Sequence, residues 1–263
     1  MSSLIMPSAA PVHQRRAHPI RPLRLLHTSD VHLESDTFGH GEQGKKLCDA
    51  IRGAFSQVVS TANRLQADML LIVGDLFDSS RITDEALSFA LNQIARAKMP
   101  VVMTPGNHDA HDERSIWIKL PPSELPRNLH MLLEPEGSTI EFPELSARVW
   151  GRALIEHTPD YRPLAGIAPA VEGVWNIALA HGFFMEEGEF DRSSPINPVD
   201  IEGSGYDYIA LGHIHVFTDC SRGATRAAYC GTPAPLYQEA GWVAHVRLDP
   251  ATGIELERLP VAD

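Results

Sequence analysis

The stretch Leu70-Leu71-Ile72-Val73-Gly74-Asp75-Leu76-Phe77-Asp78 is an apolar run that ends in a glycine and two carboxylates. A short, continuous apolar run of this kind is typical of a strand buried in the core. Asp75 follows directly, at the carboxyl end of the strand, where open α/β sheets place their functional groups. The stretch therefore predicts a core strand with a functional group at its end.

Four further segments repeat the pattern of an apolar strand followed by polar side chains. They are residues 25–32 (LLHTSDVH), 101–109 (VVMTPGNHD), 178–182 (ALAHG) and 209–215 (IALGHIH). Side chains at the same end of neighbouring strands converge on one spot. Because imidazoles, carboxylates and an amide oxygen together suit Mn, Fe or Zn better than Ca or Mg, the set predicts a two-metal centre.

The segments between these strands predict the fold class. Residues 45–67 carry a helical stripe of apolar side chains, and Thr83 can cap a second helix that runs to Lys98. The resulting β-α-β-α-β order implies parallel strands joined by crossover helices. After Leu129 the sequence is rich in short strands, which predicts a second, mixed sheet packed on the first. We expect one α/β domain over residues 23–263, preceded by a flexible tail over residues 1–22.

Composition restricts the classes of partner. The chain has 263 residues and a formal net charge of −12, which argues against a broad, non-specific nucleic-acid surface. No segment is long and apolar enough to span a bilayer, so no membrane partner is expected. Three scattered cysteines, Cys48, Cys220 and Cys230, do not form a disulfide framework and favour a reducing, cytoplasmic location.

The ordered motifs D-x-H (30–32), G-D-x-x-D (74–78), G-N-H-D (106–109), H-G (181–182) and G-H-x-H (212–215) resemble those of the calcineurin-like metallophosphoesterase superfamily. The resemblance covers residues 25–215. It implies a four-layer αββα sandwich of two mixed β-sheets flanked by helices. It also implies hydrolysis of a phosphate ester by a hydroxide that bridges two divalent metal ions.

The resemblance assigns roles residue by residue. One ion would be held by Asp30, His32, Asp75 and His215, and the other by Asp75, Asn107, His181 and His213. Asn107 and His108 would contact the substrate, and His108 would be the general acid toward the leaving oxygen. Asp78 would orient His108, with a loop or helix cap as its alternative role. Asp109 is expected to be a turn or cap residue.

A narrower resemblance links residues 27–33, 74–81, 208–215 and 229–236 to the SbcD-type DNA-repair exonucleases. It implies cleavage of phosphodiester bonds, usually with manganese, in nucleic-acid ends or nucleotides; iron or zinc are the alternative metals. The family nucleases continue into a DNA-gripping cap and a segment that docks an ATPase; because this sequence stops at Asp263, we expect neither here. The expectation is therefore a stand-alone phosphodiesterase or nuclease without an ATPase partner.

Three questions stay open at the level of sequence. The same core could serve a phosphomonoesterase or a cyclic-nucleotide phosphodiesterase, because fold does not fix the substrate. The chain could also be a non-catalytic scaffold with this fold, although such relatives typically lose metal-ligand residues that this chain retains. The stretch Phe183 to Gly205, rich in Glu, Pro, Ser and Gly, could be a solvated connecting loop or a lid that faces the substrate.

Overall fold

The first third of the chain alternates strands and helices, and the remainder is rich in strands. The structure is a computed structural model that describes residues 21–35, 41–185, 192–234 and 241–261. The α-helices of these residues are α1 (Glu42–Arg64), α2 (Asp84–Ala95), α3 (Ile116–Lys119) and α4 (Pro198–Ser204). The strands are β1 (Leu23–Thr28), β2 (Met69–Val73), β3 (Val101–Thr104), β4 (Leu129–Met131), β5 (Ser138–Phe142), β6 (Ala147–Gly151), β7 (Trp175–His181), β8 (Phe183–Phe184), β9 (Pro195–Ile196), β10 (Tyr208–Gly212), β11 (Thr218–Asp219), β12 (Arg226–Tyr229), β13 (Trp242–Asp249) and β14 (Gly253–Pro260).

Two six-stranded sheets form the centre of the molecule. The first sheet has the order β14-β13-β1-β2-β3-β4, and the second has the order β11-β12-β10-β7-β6-β5. Strands β1 to β4 are parallel, with β13 antiparallel to β1, so the first sheet is mixed. In the second sheet β6, β7, β10 and β12 are parallel, and β5 and β11 are antiparallel edge strands. The prediction of two mixed sheets is confirmed.

The alternation of side chains along β2 explains how the layers stack. Leu70 and Ile72 point to one face of the first sheet, where they pack with Phe55 of α1 and Ile94 of α2. Met69, Leu71 and Val73 point to the other face and meet the second sheet through residues such as Ile177 and Leu179. Both faces of the strand are buried, as the unbroken apolar sequence predicts.

The outer face of the second sheet carries the fourth layer. Ala178, Ala180 and Ile209 form a separate apolar cluster with Ile201 of α4 and with Leu164. The helices therefore flank two sheets that pack face to face, in the predicted αββα arrangement.

Two helix boundaries follow from capping chemistry. The Thr83 side chain accepts a hydrogen bond from the Ala86 amide at 3.2 Å, so α2 begins where the sequence predicts it. The helix α4 begins at Pro198 behind a capping-box pair, in which the Asp200 carboxylate accepts from the Asn197 main-chain amide at 2.8 Å and from its side-chain amide at 3.0 Å. Residues 183–205, for which the sequence left a solvated connecting loop or a lid as alternatives, contain β8, β9 and α4 in their described part, so this part is not an irregular loop. Residues 186–191, the centre of the predicted lid, lie outside the described residues.

The remaining predictions concern the tail, the cysteines and the membrane. Residues 1–20 of the predicted tail lie outside the described residues, whereas Arg21 forms an ion pair with Asp68 at 2.8 Å. Cys220 and Cys230 are buried free thiols, and Cys48 is a half-buried one. Within the described ranges, no helix combines the length and the apolar character that crossing a bilayer requires.

Candidate metal centre

The carboxyl ends of five strands, three from the first sheet and two from the second, meet at one edge of the molecule. Asp30 and His32 follow β1, Asp75 follows β2, and Asn107 lies in the loop after β3. His181 is the last residue of β7, and His213 and His215 follow β10. His181 joins the two sheets directly, because its Nδ1 contacts the Val73 carbonyl oxygen of β2 at 3.0 Å.

The backbone of four of these residues is in the left-handed region. The φ angles are 53° at Asp30, 54° at His32, 52° at Asp75 and 108° at His213. Non-glycine residues in this region cost about 1–3 kcal/mol each and persist where the surroundings hold them, typically at functional sites. Main-chain bonds hold these turns, for example from the Asp30 amide to the Gly74 carbonyl at 3.1 Å and from the His32 amide to the Asp75 carbonyl at 3.0 Å.

Two glycines allow the strand ends to approach each other. A Cβ at Gly212 would lie 1.9 Å from the Val73 carbonyl oxygen, and a Cβ at Gly74 would lie 2.2 Å from Nδ1 of His181. Both distances are far below a van der Waals contact. The glycines of the G-D-x-x-D and G-H-x-H motifs are therefore required for close packing around His181.

The first group of potential ligands is Asp30, His32 and His215, whose ligand atoms all lie within 4.8 Å of one another. The Nε2 atoms of His32 and His215 are 3.2 Å apart, and Nε2 of His215 is 3.6 Å from Oδ1 of Asp30. Nε2 of His32 is 4.0 Å from Oδ2 of Asp75. The four residues that the sequence predicts for one ion therefore surround one point.

The second group is built around Asp75 and Asn107. Nε2 of His181 lies 3.3 Å from Oδ2 of Asp75 and 3.0 Å from Oδ1 of Asn107. The same amide oxygen is 2.9 Å from Nδ1 of His213. Asp30 also lies within 4.8 Å of Asp75 and His181, so both carboxylates stand between the two groups of histidines.

The donor set fits a pair of divalent cations. Asp30 and Asp75 are 0% and 1% exposed, and their described ion-pair partners are histidines. Two buried carboxylates without a fixed cation require a compensating positive charge. Imidazole nitrogens, carboxylates and an amide oxygen suit Mn, Fe or Zn.

The pKa shifts show how strongly the buried carboxylates and histidines of this cluster interact. Burial alone would lower the pKa of His181, but the charges of Asp75 and Asp30 raise it to about 9. Burial would raise the pKa of Asp75, yet the charge of His181 and its hydrogen bond hold that pKa well below the ordinary value. Burial and the charge of His181 lower the pKa of His213 to about 4. Because ligands bind metal in their deprotonated forms, an ion that took Nε2 of His181 as a ligand would displace the proton that this pKa places there.

His108 lies at the open side of the cluster. Its ring is 4.7 Å from the His32 ring, and its side chain is 42% exposed. Its amide donates to Oδ1 of Asp75 at 2.8 Å, and its Nδ1 contacts the main-chain oxygen of Asp78 at 2.8 Å. The second ring nitrogen, Nε2, is thereby left for a ligand in the open part of the site.

Asp78 has two neighbours. Its Oδ1 lies 2.8 Å from Nδ1 of His32 and 3.6 Å from Nδ1 of His108. Burial would raise the pKa of Asp78, but the hydrogen bond and charge of His32 lower it. The side chain therefore contacts the predicted ligand more closely than the predicted general acid, and His108 is oriented mainly by the main chain of Asp78.

Asp109 organises the loops beneath the cluster. It is buried and accepts hydrogen bonds from the amides of Gly106 at 2.7 Å, Asp75 at 3.1 Å and Leu76 at 3.0 Å. Burial and the charge of Asp75 raise its pKa to about 6. This arrangement agrees with the prediction of a turn residue.

Two residues beside the cluster are absent from the sequence predictions. Ser29 donates from Oγ to Oδ2 of Asp30 at 2.5 Å, and its position directly before the D-x-H motif could have indicated it. The His157 ring lies 5.0 Å from the His213 ring, and Nδ1 of His157 is 3.1 Å from Oγ of Ser194. His157 lies in the loop after β6, six residues beyond the end of that strand at Gly151, so the pattern of a strand followed directly by a polar side chain does not mark it.

Over most of its length, the chain is similar to proteins of known sequence. The chain is 28% identical over 208 residues to the uncharacterized metallophosphoesterase YhaO of Bacillus subtilis, an alignment that covers 73% of this chain and 48% of YhaO. It is 26% identical to the DNA double-strand break repair protein Mre11 of Methanopyrus kandleri, over 81% of this chain and 49% of Mre11. It is 25% identical to the SbcD subunit of the nuclease SbcCD of Bacillus subtilis, over 86% of this chain and 66% of that subunit. The chain spans about half the length of the first two relatives and about two thirds of the third.

Solved structures support the fold. The protein TT1561 of Thermus thermophilus has a TM-score of 0.57 at 13% identity, covering 91% of this chain and 99% of TT1561. GAP50, the anchor in the inner membrane complex of Plasmodium, has a TM-score of 0.57 at 11% identity, covering 93% of this chain and 86% of GAP50. At these identities the likeness concerns the fold alone.

A sequence model described as calcineurin-like phosphoesterase matches residues 23–217, which include every strand end that contributes to the cluster. The family consists of metal-dependent phosphoesterases with two metal ions, in agreement with the two groups of potential ligands described above. The chain therefore belongs to the calcineurin-like phosphoesterase family.

Proposed function

We propose that the chain is a two-metal phosphodiesterase that cleaves phosphodiester bonds at nucleic-acid ends. The observation that carries the proposal is the gathering of seven donor side chains around two adjacent points, with the exposed ring of His108 beside them. These donors are Asp30, His32, Asp75, Asn107, His181, His213 and His215.

In this proposal each side chain has one task. Asp30, His32, Asp75 and His215 hold one ion, and Asp75, Asn107, His181 and His213 hold the other. A pair of divalent ions supplies an activated water and neutralises charge on the phosphoryl oxygens. Manganese is the proposed metal, because the donor set suits it and the SbcD-like motifs favour it.

His108 acts on the leaving group. Its Nδ1 is engaged by the Asp78 carbonyl at 2.8 Å, so Nε2 can carry the proton toward the substrate. An imidazole is a common general acid toward a departing alkoxide in hydrolytic enzymes. Asn107 and His108 together would contact the phosphoryl group.

The choice of a phosphodiester rests on the relatives. YhaO carries only the name metallophosphoesterase, whereas Mre11 is a DNA double-strand break repair protein and SbcCD is a nuclease. The motifs at residues 27–33, 74–81 and 208–215 support the same branch of the family. Together they favour nucleic-acid ends as substrate.

The residue assignments can be tested with three variants. We expect Asp75→Asn and His213→Ala to lose turnover and bound manganese, because the first removes the negative charge of a buried carboxylate and the second removes an imidazole nitrogen from the cluster. We expect His108→Ala to keep its manganese and to lose about 10²–10⁴-fold in rate, since general acid catalysis typically contributes this much. Metal content by elemental analysis and turnover of bis(4-nitrophenyl) phosphate measure both quantities. Asp49→Asn, on the exposed surface of α1, is the matched control.

The substrate class requires a separate assay. End-labelled oligonucleotides, cyclic nucleotides and 4-nitrophenyl phosphate are compared at the same manganese concentration. Preferred cleavage of the oligonucleotide supports the proposal. A manganese-loaded chain that cleaves only the monoester or the cyclic nucleotide refutes nuclease activity, and wild-type turnover by Asp75→Asn refutes the metal assignment.

A further inference from the structure

An aromatic and cationic cluster borders the metal centre on the side of the second sheet. It consists of His157, Phe183 and Arg192 and is called the rim cluster below. The Phe183 ring lies 6.3 Å from the His213 ring, and the His157 ring lies 5.0 Å from it. The five motifs named above, at residues 30–32, 74–78, 106–109, 181–182 and 212–215, do not include these three residues.

Arg192 extends the cluster outward from the metal centre. Its guanidinium lies over the Phe183 ring, 4.5 Å from the ring centroid. Phe183 is half-buried and Arg192 is exposed, so the ring forms the base of the stack and the guanidinium forms its outer layer. The stack therefore carries a positive charge, in a chain whose formal net charge is −12.

The rim cluster is held by main-chain and side-chain bonds rather than by the aromatic contacts alone. The Phe183 amide donates to the Ser194 carbonyl at 3.0 Å, and the Ser194 amide donates to the Thr158 carbonyl at 2.8 Å. Ser194 is fully buried with a φ of 50°, and its hydroxyl contacts Nδ1 of His157 at 3.1 Å. A prearranged surface of this kind loses little conformational entropy when a ligand binds.

The hydrogen bond to Ser194 also determines which ring nitrogen of His157 carries the proton. Ser194 can donate its hydroxyl proton to Nδ1, which leaves the proton of a neutral imidazole on Nε2. In the described part of the chain Nε2 of His157 has no hydrogen-bond partner. His157 can therefore donate a hydrogen bond to a phosphate oxygen next to the metal centre.

We propose that the rim cluster is a nucleotide subsite, which takes the base and phosphate adjacent to the scissile bond at a single-stranded polynucleotide end. This inference rests on the proposed phosphodiesterase activity. A base extends the stack by lying on the guanidinium of Arg192, and Phe183 supports that plane from below.

The three side chains thus have separate tasks. Arg192 provides both the stacking plane and a charge for the phosphate, a combination that a lysine does not offer. Phe183 provides the aromatic support, and His157 donates to the phosphate. A small phosphomonoester could use His157 alone, so the subsite favours a polynucleotide over such a substrate.

Binding of an uncleavable ligand tests the subsite without reference to turnover. The probe is fluorescein-labelled hexathymidylate with phosphorothioate linkages, compared by fluorescence anisotropy with an abasic hexamer of equal charge, both on the manganese-loaded chain. We expect Phe183→Leu and Arg192→Lys to weaken hexathymidylate binding roughly five- to hundredfold, the range of one base–aromatic stack. Binding of the abasic hexamer should change by less than about twofold in Arg192→Lys, because the charge remains.

Two further variants complete the design. His157→Phe should weaken both hexamers to the same extent, because the lost contact is to phosphate. Arg96→Ala removes an exposed positive charge directly after α2. Arg96 precedes the amino end of β3, so it lies at the edge of the sheet opposite to the metal centre. We expect this control to bind both hexamers like the unmodified chain.

Specific outcomes overturn the proposal. Equal affinity of the unmodified chain for the two hexamers, or equal losses in Arg192→Lys and Arg96→Ala, would exclude a base-stacking subsite. If the chain cleaves diesters but gives either of these results, the subsite is refuted and the proposed function stands. If the chain binds hexathymidylate as expected but cleaves no diester, the proposed function is refuted and the subsite stands.

Discussion

Asp78 touches both His32, a proposed metal ligand, and His108, the proposed general acid. Its carboxylate contacts Nδ1 of His32 at 2.8 Å, and its main-chain oxygen contacts Nδ1 of His108 at 2.8 Å. Carboxylates that bond the outer nitrogen of a ligating histidine fix its ring and raise its basicity. We infer that the side chain of Asp78 supports metal binding, while its backbone positions the proton donor.

Asp78→Asn separates these two roles. Loss of the charge should reduce manganese affinity about 10–100-fold, the usual effect of removing such a partner. Turnover at saturating manganese should change little, because the carbonyl that holds His108 remains. Isothermal titration with manganese and a manganese-dependent rate profile measure the two effects, with Asp49→Asn as control. A fall in saturated turnover at unchanged affinity would instead favour the predicted role of the carboxylate in orienting His108.

The positions of the donors could be predicted from the sequence, but their pairings could not. Asp30, Asp75 and His181 each follow an apolar strand, so the parallel order of the strands suffices to bring them to one edge. The contact of Asp78 with His32, and the contact of Ser29 with Asp30, depend on side-chain directions in left-handed turns. A linear pattern of residue types does not contain that information.

At the scale of elements, the metal centre depends on how closely β10 approaches β2. Gly212 ends β10, and His181 at the end of the neighbouring β7 contacts the Val73 carbonyl of β2. The two sheets therefore meet at their carboxyl ends through the His181 side chain and the Val73 main chain. A side chain at Gly212 has no space, because its Cβ would lie 1.9 Å from the Val73 oxygen and 2.7 Å from Nδ1 of His181.

We expect Gly212→Ala to lose manganese and stability together. The new methyl group must push β10 from β2 and break the contact of His181 with Val73, and overpacking of this kind costs about 1–3 kcal/mol. Gly203→Ala is the matched control, because a Cβ at Gly203 in α4 has no atom within 4 Å. Urea denaturation and metal analysis of both variants check the prediction. Full manganese content in Gly212→Ala would show that the close approach is not required.

The elements that sequence reasoning missed are the short ones. The residue ranges of β2 and β3 agree with prediction, since continuous apolar runs bounded by Gly or Pro are strong signals. The helix α4 has only seven residues, and its apolar periodicity is too short to recognise. Its capping box of Asn197 and Asp200 was nevertheless present in the sequence. The pairing of β8 with β9 depends on tertiary contacts and has no local pattern.

At the scale of the whole molecule, a buried histidine links the two sheets and makes folding depend on pH. Nδ1 of His27 in β1 contacts the hydroxyl of Tyr208 in β10 at 2.8 Å, and both residues are fully buried. Burial lowers the pKa of His27 to about 3, although the charge of Asp30 acts to raise it. In the unfolded chain the pKa returns to about 6.5. The unfolded state therefore binds a proton that the folded state excludes, and stability falls as the pH drops from about 6.5 toward about 3.

We expect the free energy of unfolding to contain a contribution from His27 of up to about 1.4 kcal/mol per pH unit between pH 6 and pH 4. Urea denaturation in EDTA, across this range, measures the slope without metal release. His27→Gln cannot be protonated and should reduce the slope, whereas Tyr208→Phe leaves His27 in place and should retain it. Equal slopes for His27→Gln and the unmodified chain would contradict the assignment.

Metal binding should couple to the stability of the whole fold, because the proposed ligands come from both sheets. Asp30, Asp75 and Asn107 follow strands of the first sheet, and His181, His213 and His215 end or follow strands of the second. An ion bound between them links the sheets and has no equivalent site in the unfolded chain. A ligand at 100 times its dissociation constant stabilises the folded state by about 2.7 kcal/mol per site. We therefore expect manganese to raise the free energy of unfolding, measured by urea denaturation, by about this amount for each ion relative to EDTA. Asp75→Asn should show no manganese-dependent rise in the free energy of unfolding, whereas Asp49→Asn should show the same rise as the unmodified chain. An equal rise in Asp75→Asn would mean that the stabilising ions bind elsewhere.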